Sequence, residues 1–281
     1  MSVPVSEVDG ELECKQAALR AALRAGGAVL VAYSGGVDSA FLAWSAHEAL
    51  GDGMLALIAD SPSLARAELR GALDFAARHG IPCETIATHE GERAEYRRNA
   101  PDRCFFCKDE LFARMEEELR RRPGFRALAY GLNCDDRHDF RPGQRAAELR
   151  HVRTPLVEAG LGKAEIRALA RAAGLEVWDK PAAPCLASRV AYGIEVTPAV
   201  LAKVEAAEAA VRALGFREFR VRYHGEMARL EVAAEELARA HEATMSAALA
   251  EAIRDAGFRF ATVALEPLRS GSLNQLMAHS S

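Results

Sequence analysis

The chain has 281 residues, half of them hydrophobic and 27% charged, with a formal charge of −4. That is long and apolar enough for one large or two ordinary globular domains with a sizeable core. The slight acidity provides no global basic field, which argues against a dedicated nucleic-acid binder and leaves small anionic ligands open.

The opening stretch, MSVPVSEVDGELECKQAALRAALRAGG, mixes acidic residues with no uninterrupted apolar run, so neither a secretory signal nor a basic transit peptide is expected. No apolar run approaches the roughly 18 to 20 residues that a bilayer span needs, and the cytoplasm is the expected compartment. Six cysteines (Cys14, Cys83, Cys104, Cys107, Cys134, Cys185) in that reducing setting are expected as thiols. Ligand and nucleophile roles therefore rank ahead of a disulfide framework.

Residues 27–34, GAVLVAYS, and 54–61, MLALIADS, are short apolar runs bounded by Gly or Ser and read as buried strands. SAFLAWSAHEAL between them has a helical pattern. LARAELRGALDFAARHG (64–80) repeats it, with Gly80 closing the helix, and IPCETIAT (81–88) follows as a third strand. The helix KDELFARMEEELRRR then leads into a fourth, FRALAYG (125–131). Strands alternating with helices predict an α/β fold with a doubly wound, mostly parallel sheet. Ligands on such sheets bind outside the carboxyl ends of the strands, where SGGVDS, ADSPS with Ser61, and GLNCDD with Gly131 all fall.

After about residue 180 the rhythm changes. TPAVLAKVEAAEAAVRALG reads as an amphipathic helix with Val200, Val204, Val211 and Leu214 near one face, and FREFRVRYHG with EMARLEVA as a hairpin through His224-Gly225. A further helix and FRFATVAL (258–265) complete a smaller α+β unit. The expected domains are residues 1–191 and 192–281, the second serving substrate binding or a homo-oligomer contact.

Ser34-Gly35-Gly36-Val37-Asp38-Ser39 lies between the first strand and its helix. Glycines let the backbone approach a ligand, successive N–H groups form an anion nest, the helix start adds positive potential, and Ser34 and Ser39 add hydroxyls. A bare strand-to-helix turn is the plainer alternative. The loop lacks the lysine of a Walker P-loop; it carries Asp38, expected to be exposed at the strand end and to need a divalent cation beside phosphate.

PDRCFFCKDE (101–110) sets Cys104 and Cys107 two residues apart against Phe105 and Phe106. That spacing suits a redox dithiol, half of a zinc site with Cys134 or His138 nearby, or part of an iron–sulfur site. Cys185 sits in a proline-rich, non-helical stretch after Pro181 and Pro184 and before Arg189, a cation that favours thiolate and is itself a candidate substrate contact; this is a setting for a reactive thiol, although buried inert cysteines are common. Asp135 and Asp136 can bind magnesium or substrate, or simply cap a turn. Lys108 can neutralise phosphate, or be a solvated helix lysine. Arg220 and Arg222 share one strand face and can form a fork for a nucleotide phosphate; an exposed charged face explains them equally well. His79, His89, His151 and His224 lack ligand spacing and read as structural.

SGGVDS resembles the signature of the PP-loop (N-type) ATP pyrophosphatases, which implies cleavage of ATP between the α- and β-phosphates, pyrophosphate and Mg²⁺ held in this loop, and adenylylation of an acceptor. RCFFCK (103–108), GLNCDDRHDFRPG (131–143) and DKPAAPCLASR (179–189) together resemble the LarE-type ATP-dependent sulfur transferases. That resemblance implies the acceptor pyridinium-3,5-biscarboxylic acid mononucleotide, a step in nickel-pincer nucleotide biosynthesis. It also implies Lys108 near the active site, small-domain arginines on the substrate phosphate, and Cys185 as sulfur-bearing residue or cluster ligand. With the CxxC pair present, Cys104, Cys107 and Cys185 match members implied to hold a 4Fe-4S cluster whose open iron carries a sulfide from an unknown donor. PP-loop tRNA thiolases share this chemistry, but their basic surface and added zinc segments are missing here. An ATP-binding regulatory module would leave the cysteines idle.

Overall fold

The computed structural model describes residues 5–138 and 142–269. Residues 139–141 of the GLNCDDRHDFRPG stretch, and the His138 side chain weighed above as a zinc ligand, lie outside the described residues.

In chain order the elements are α1 (Val5–Gly26), β1 (Val29–Ala32), α2 (Val37–Leu50), β2 (Met54–Asp60), α3 (Arg66–Arg78), β3 (Cys83–Ala87), the single turn α4 (Ala94–Arg97), α5 (Arg103–Arg121), β4 (Ala127–Tyr130), α6 (Pro142–Leu149) and the single turn α7 (Pro155–Glu158). There follow α8 (Lys163–Ala172), α9 (Pro198–Ala213), β5 (Phe219–His224), β6 (Met227–Val232), α10 (Ala234–His241), α11 (Ala243–Asp255) and β7 (Phe260–Val263). They form two compact units: Met1–Ser61 with Arg66–His89 and Cys104–Ala183, and Pro62–Ala65 with Glu90–Arg103 and Pro184–Ser281. Among the described residues no helix is long and apolar enough to cross a membrane.

The first unit is the doubly wound α/β structure the alternating pattern predicts. Its sheet runs β3-β2-β1-β4 with every pair parallel. Register aligns Leu30 with Leu55 and Leu128, so period-2 alternation sends Leu30, Ala32, Leu57 and Tyr130 to one face, against Phe112 and Met115 of α5 and Ala146 and Ala147 of α6. Helix α2 is largely enclosed, with Val37, Ala40, Phe41, Leu42, Ala43 and Ala46 buried together with Ser39 and Ser45. Full burial of each Leu or Phe is worth about 1.5–3 kcal/mol. The order reverses between β1 and β4, which puts the switch point, and the crevice it opens at the strands' carboxyl ends, between those two strands.

The second unit pairs β5 antiparallel with β6 through Gly225 (φ +75°) and β6 parallel with β7. The buried stripe of α9 differs from the sequence expectation: it runs Leu201, Val204, Ala207, Glu208 and Val211, while Val200 and Leu214 are only half-buried. Thr197 caps this helix by accepting from Val200 N–H (3.2 Å), which with Pro198 sets its rotation about the axis.

Candidate functional site

At the first unit's switch point, the chain leaves β1 and enters α2 with Gly36 as N-cap and no side-chain cap bond, so the first-turn N–H groups stay available to an anion. Ser39 Oγ donates to the Gly36 carbonyl (3.0 Å), accepts from Ser34 N–H (3.2 Å) and lies 3.0 Å from Ser34 Oγ. The two serines thus brace the loop. Gly35 adopts φ +72°, and a Cβ there would meet Ala72 Cβ of α3 at 2.6 Å, so no other residue fits. Gly131, directly after β4, is needed for close approach: its Cβ would stand 2.8 Å from Ser39 N.

Asp38 belongs to the first turn of α2 and is half-buried rather than exposed, which corrects the sequence expectation. Asn133, fully buried after β4, donates from Nδ2 to Asp38 Oδ2 (3.2 Å) and accepts Asp136 N–H at Oδ1 (3.0 Å). Asp38 Oδ1 is enclosed and has no hydrogen-bond partner among the described residues. Burial raises the Asp38 pKa, with Asp136 adding to it and Lys163, Asn133 and Arg167 opposing. An enclosed carboxylate oxygen without a donor, beside an open anion nest, suits a hard divalent cation such as Mg²⁺.

Three cations reach this place that the sequence reading did not single out. Lys163 and Arg167 of α8 act on Asp38. Lys180 Nζ donates to the Gly35 carbonyl (3.0 Å) and pairs with Glu68 (2.8 Å), so a lysine from outside the loop is fastened to it. The only signal for it was its place in DKPAAPC. Asp135 accepts Lys163 N–H at Oδ2 (2.6 Å), securing the start of α8, and Asp136 is buried. Ser61 is buried at the end of β2 with its carbonyl accepting from Arg66 (2.6 Å). Lys108 is half-buried, with its Nζ 5.6 Å and 5.8 Å from the Phe112 and Tyr130 ring centroids.

Helix α5 begins at Arg103, five residues before the sequence reading starts it, so Cys104 and Cys107 stand one turn apart on one helical face. Neither is disulfide-bonded. Among the described residues no group of three or more His, Cys, Asp or Glu side chains is placed to hold a metal ion.

In the second unit, half-buried Cys185 precedes the 3-10 turn Leu186–Arg189. Arg189 is buried, pairs with Glu208 (2.8 Å), and donates to the carbonyls of Pro184 and, at 3.1 Å, Cys185. Arg222 is also buried, pairs with Glu231 (2.8 Å) and donates to the Ser188 carbonyl (3.1 Å), which rules out an exposed charged face. Burial pushes the Glu231 carboxyl up, but Arg222 and Arg229 outweigh it and hold the pKa below its ordinary value. Arg220 is half-buried and its pKa is pushed down to about 10, by burial first and then by Arg189. Glu208 and Glu231 escaped the sequence reading; a charge on a helix's core stripe was the signal for the first.

The fold and the loop define a doubly wound α/β protein whose switch point carries an uncapped helix start and a carboxylate oxygen with no hydrogen-bond partner among the described residues. No protein-family model matches the chain. It is 39% identical over 248 residues to an uncharacterized protein of Synechocystis sp., covering 88% of this chain and 92% of that one. It is 32% identical over 267 residues to the pyridinium-3,5-bisthiocarboxylic acid mononucleotide synthase of Lactiplantibacillus plantarum, covering 95% and 96%. An uncharacterized Methanocaldococcus jannaschii protein is 26% identical over 204 residues. The chain belongs to the LarE-type family of pyridinium-3,5-bisthiocarboxylic acid mononucleotide synthases.

Proposed function

We propose that this protein is an ATP-dependent sulfur transferase that converts a carboxylate of pyridinium-3,5-biscarboxylic acid mononucleotide to a thiocarboxylate, in nickel-pincer nucleotide biosynthesis. The likeness to the L. plantarum synthase over nearly the whole of both chains supports the substrate. The observation that carries the activation step is the enclosed, partnerless Asp38 Oδ1 beside the uncapped start of α2. Asp38 would hold Mg²⁺, which neutralises phosphate charge when bound. A substrate carboxylate oxygen attacks the α-phosphorus, the bond to the β-phosphate's bridging oxygen breaks, and pyrophosphate leaves toward the loop N–H groups, Ser34, Ser39 and Lys180. A sulfur nucleophile then attacks the acyl-adenylate carbonyl and the C–O bond to AMP breaks.

The thiols of Cys104, Cys107 and Cys185 suit a 4Fe-4S cluster by donor chemistry, and such a cluster, when bound, would supply the sulfide. That part rests on the thiols and the family resemblance alone. The test is anaerobic incubation with ATP, Mg²⁺, sulfide and the bis-carboxylate mononucleotide. Substrate-dependent release of AMP and pyrophosphate, with a thiocarboxylate product by mass spectrometry, is expected; absence of both removes the reading.

A further inference from the structure

The segment that carries Cys185 has little regular structure of its own, yet it is fastened at successive points by residues from far earlier in the chain. Leu186 N–H donates to the Ser63 carbonyl (2.8 Å). Arg103, 5% exposed, donates from Nη1 to the Ala187 carbonyl (2.8 Å) and to Asn99 Oδ1. Asn99 is fully buried, and its Nδ2 donates to the carbonyls of Val190 (3.3 Å), Ala191 (2.9 Å) and Ile194 (3.0 Å).

Asn99 does this from the left-handed region, at φ +56°, which asparagine adopts more readily than most residues and which suits its place just past the end of α4. An amide with two N–H bonds is shared among three acceptors while its oxygen takes the arginine. Burying a guanidinium is costly unless its hydrogen bonds are met, and here two of them go to Asn99 and to the turn that begins at Cys185. These bonds end on backbone carbonyls of residues 187–194 or join the two side chains to each other, so their direct effect is to fix the conformation of that segment.

We infer that Asn99 and Arg103 are positioning residues that hold the Cys185 segment in the conformation used for sulfur transfer. The inference deepens the sulfur-transfer reading above and rests on it. Asn99→Gly keeps the left-handed backbone without strain and removes the three-way donor; Arg103→Met keeps the volume and removes the charge. In full-length, anaerobically purified protein, the alkylation rate of Cys185 by iodoacetamide is measured by peptide mass against exposed Cys14 as internal reference. In both variants the Cys185 rate should rise about tenfold relative to Cys14, as a loosened segment opens. Thiocarboxylate formation should fall on the order of a hundredfold, while substrate-dependent ATP–pyrophosphate exchange stays within about twofold, since neither Asn99 nor Arg103 belongs to the Ser34–Ser39 loop. Arg103→Lys, whose ammonium can replace part of the donor set, should recover part of the transfer rate. An unchanged Cys185 rate in the variants, or exchange and transfer falling in parallel, overturns the inference. If one variant does not fold, the other decides. Wild-type protein without exchange would instead remove the sulfur-transfer reading, and the alkylation arm would still decide whether the segment is held by these residues.

Discussion

Asp38 is a half-buried carboxyl whose surroundings disfavour its charged form. Its carboxyl has a folded pKa above the ordinary value of 3.8, chiefly through burial. An acid so shifted leaves stability untouched below its unfolded pKa, where both states are protonated, and penalises the folded state increasingly as pH rises through the folded value. Asp38→Asn keeps a carbonyl for Asn133 Nδ2 and removes the charge. The ligand-free variant should melt at a higher temperature than wild type at neutral pH, with the gap closing as pH falls toward about 4, and should form no pyrophosphate. Mg²⁺ should stabilise wild type and not the variant. Equal melting temperatures across pH, or a variant with full turnover, would remove the assignment of Asp38 to a cation.

Strand β5 sets two arginines on one face with opposite energetic roles. Arg222 is enclosed with Glu231, so Arg222→Ala leaves a buried carboxylate with Arg229 as its remaining cation; the expected loss is about 3 kcal/mol, the low end for breaking a buried pair, read by denaturant unfolding. Arg220 has its pKa pushed down to about 10: a base so shifted costs the folded state while it is charged, below its folded pKa, and that cost lapses as pH rises above its unfolded value. Arg220→Ala should therefore leave stability at neutral pH unchanged or raised. Its expected effect is on substrate: the KM for the mononucleotide should rise about tenfold or more, a lost charged hydrogen bond of roughly 1.5–3 kcal/mol, with the KM for ATP unmoved. Equal shifts in both KM values would separate Arg220 from the substrate phosphate. Within α5, the early start at Arg103 sets Cys104 and Cys107 one helical turn apart, a spacing fixed by the helix itself.

For the whole molecule the open quantity is sulfur. If Cys185 supplies it, the thioester formed on Cys185 loses its Cα proton, the Cβ–S bond breaks, the thiocarboxylate departs, and dehydroalanine remains, so each chain works once and becomes about 34 Da lighter. If the sulfur is an added sulfide, intact mass is unchanged and turnover repeats. We expect an unchanged mass in protein reconstituted with iron and sulfide, and joint loss of cluster absorbance and repeated turnover in Cys104→Ala or Cys107→Ala. Dehydroalanine at Cys185 in reconstituted wild type would overturn that expectation. As for what was legible, the four parallel strands, the loop from Ser34 to Ser39 and the β5–β6 hairpin could all be read from sequence, because each is set by contiguous residues: apolar runs for the buried strands β1 and β2, a short run between turns for the edge strand β3, glycines where backbone must turn or approach. The helix face of α9 was misjudged by one residue, since a local pattern rich in alanine does not say which stripe meets the core. Lys180, 145 residues from Gly35, and Asn99, more than 90 from the carbonyls it holds, could not be read at all. Local propensity decides which residues form an element. Which distant charge arrives beside a loop, and which buried asparagine donates to carbonyls more than 90 residues away, is decided only when the elements pack, because those contacts have no counterpart in neighbouring sequence.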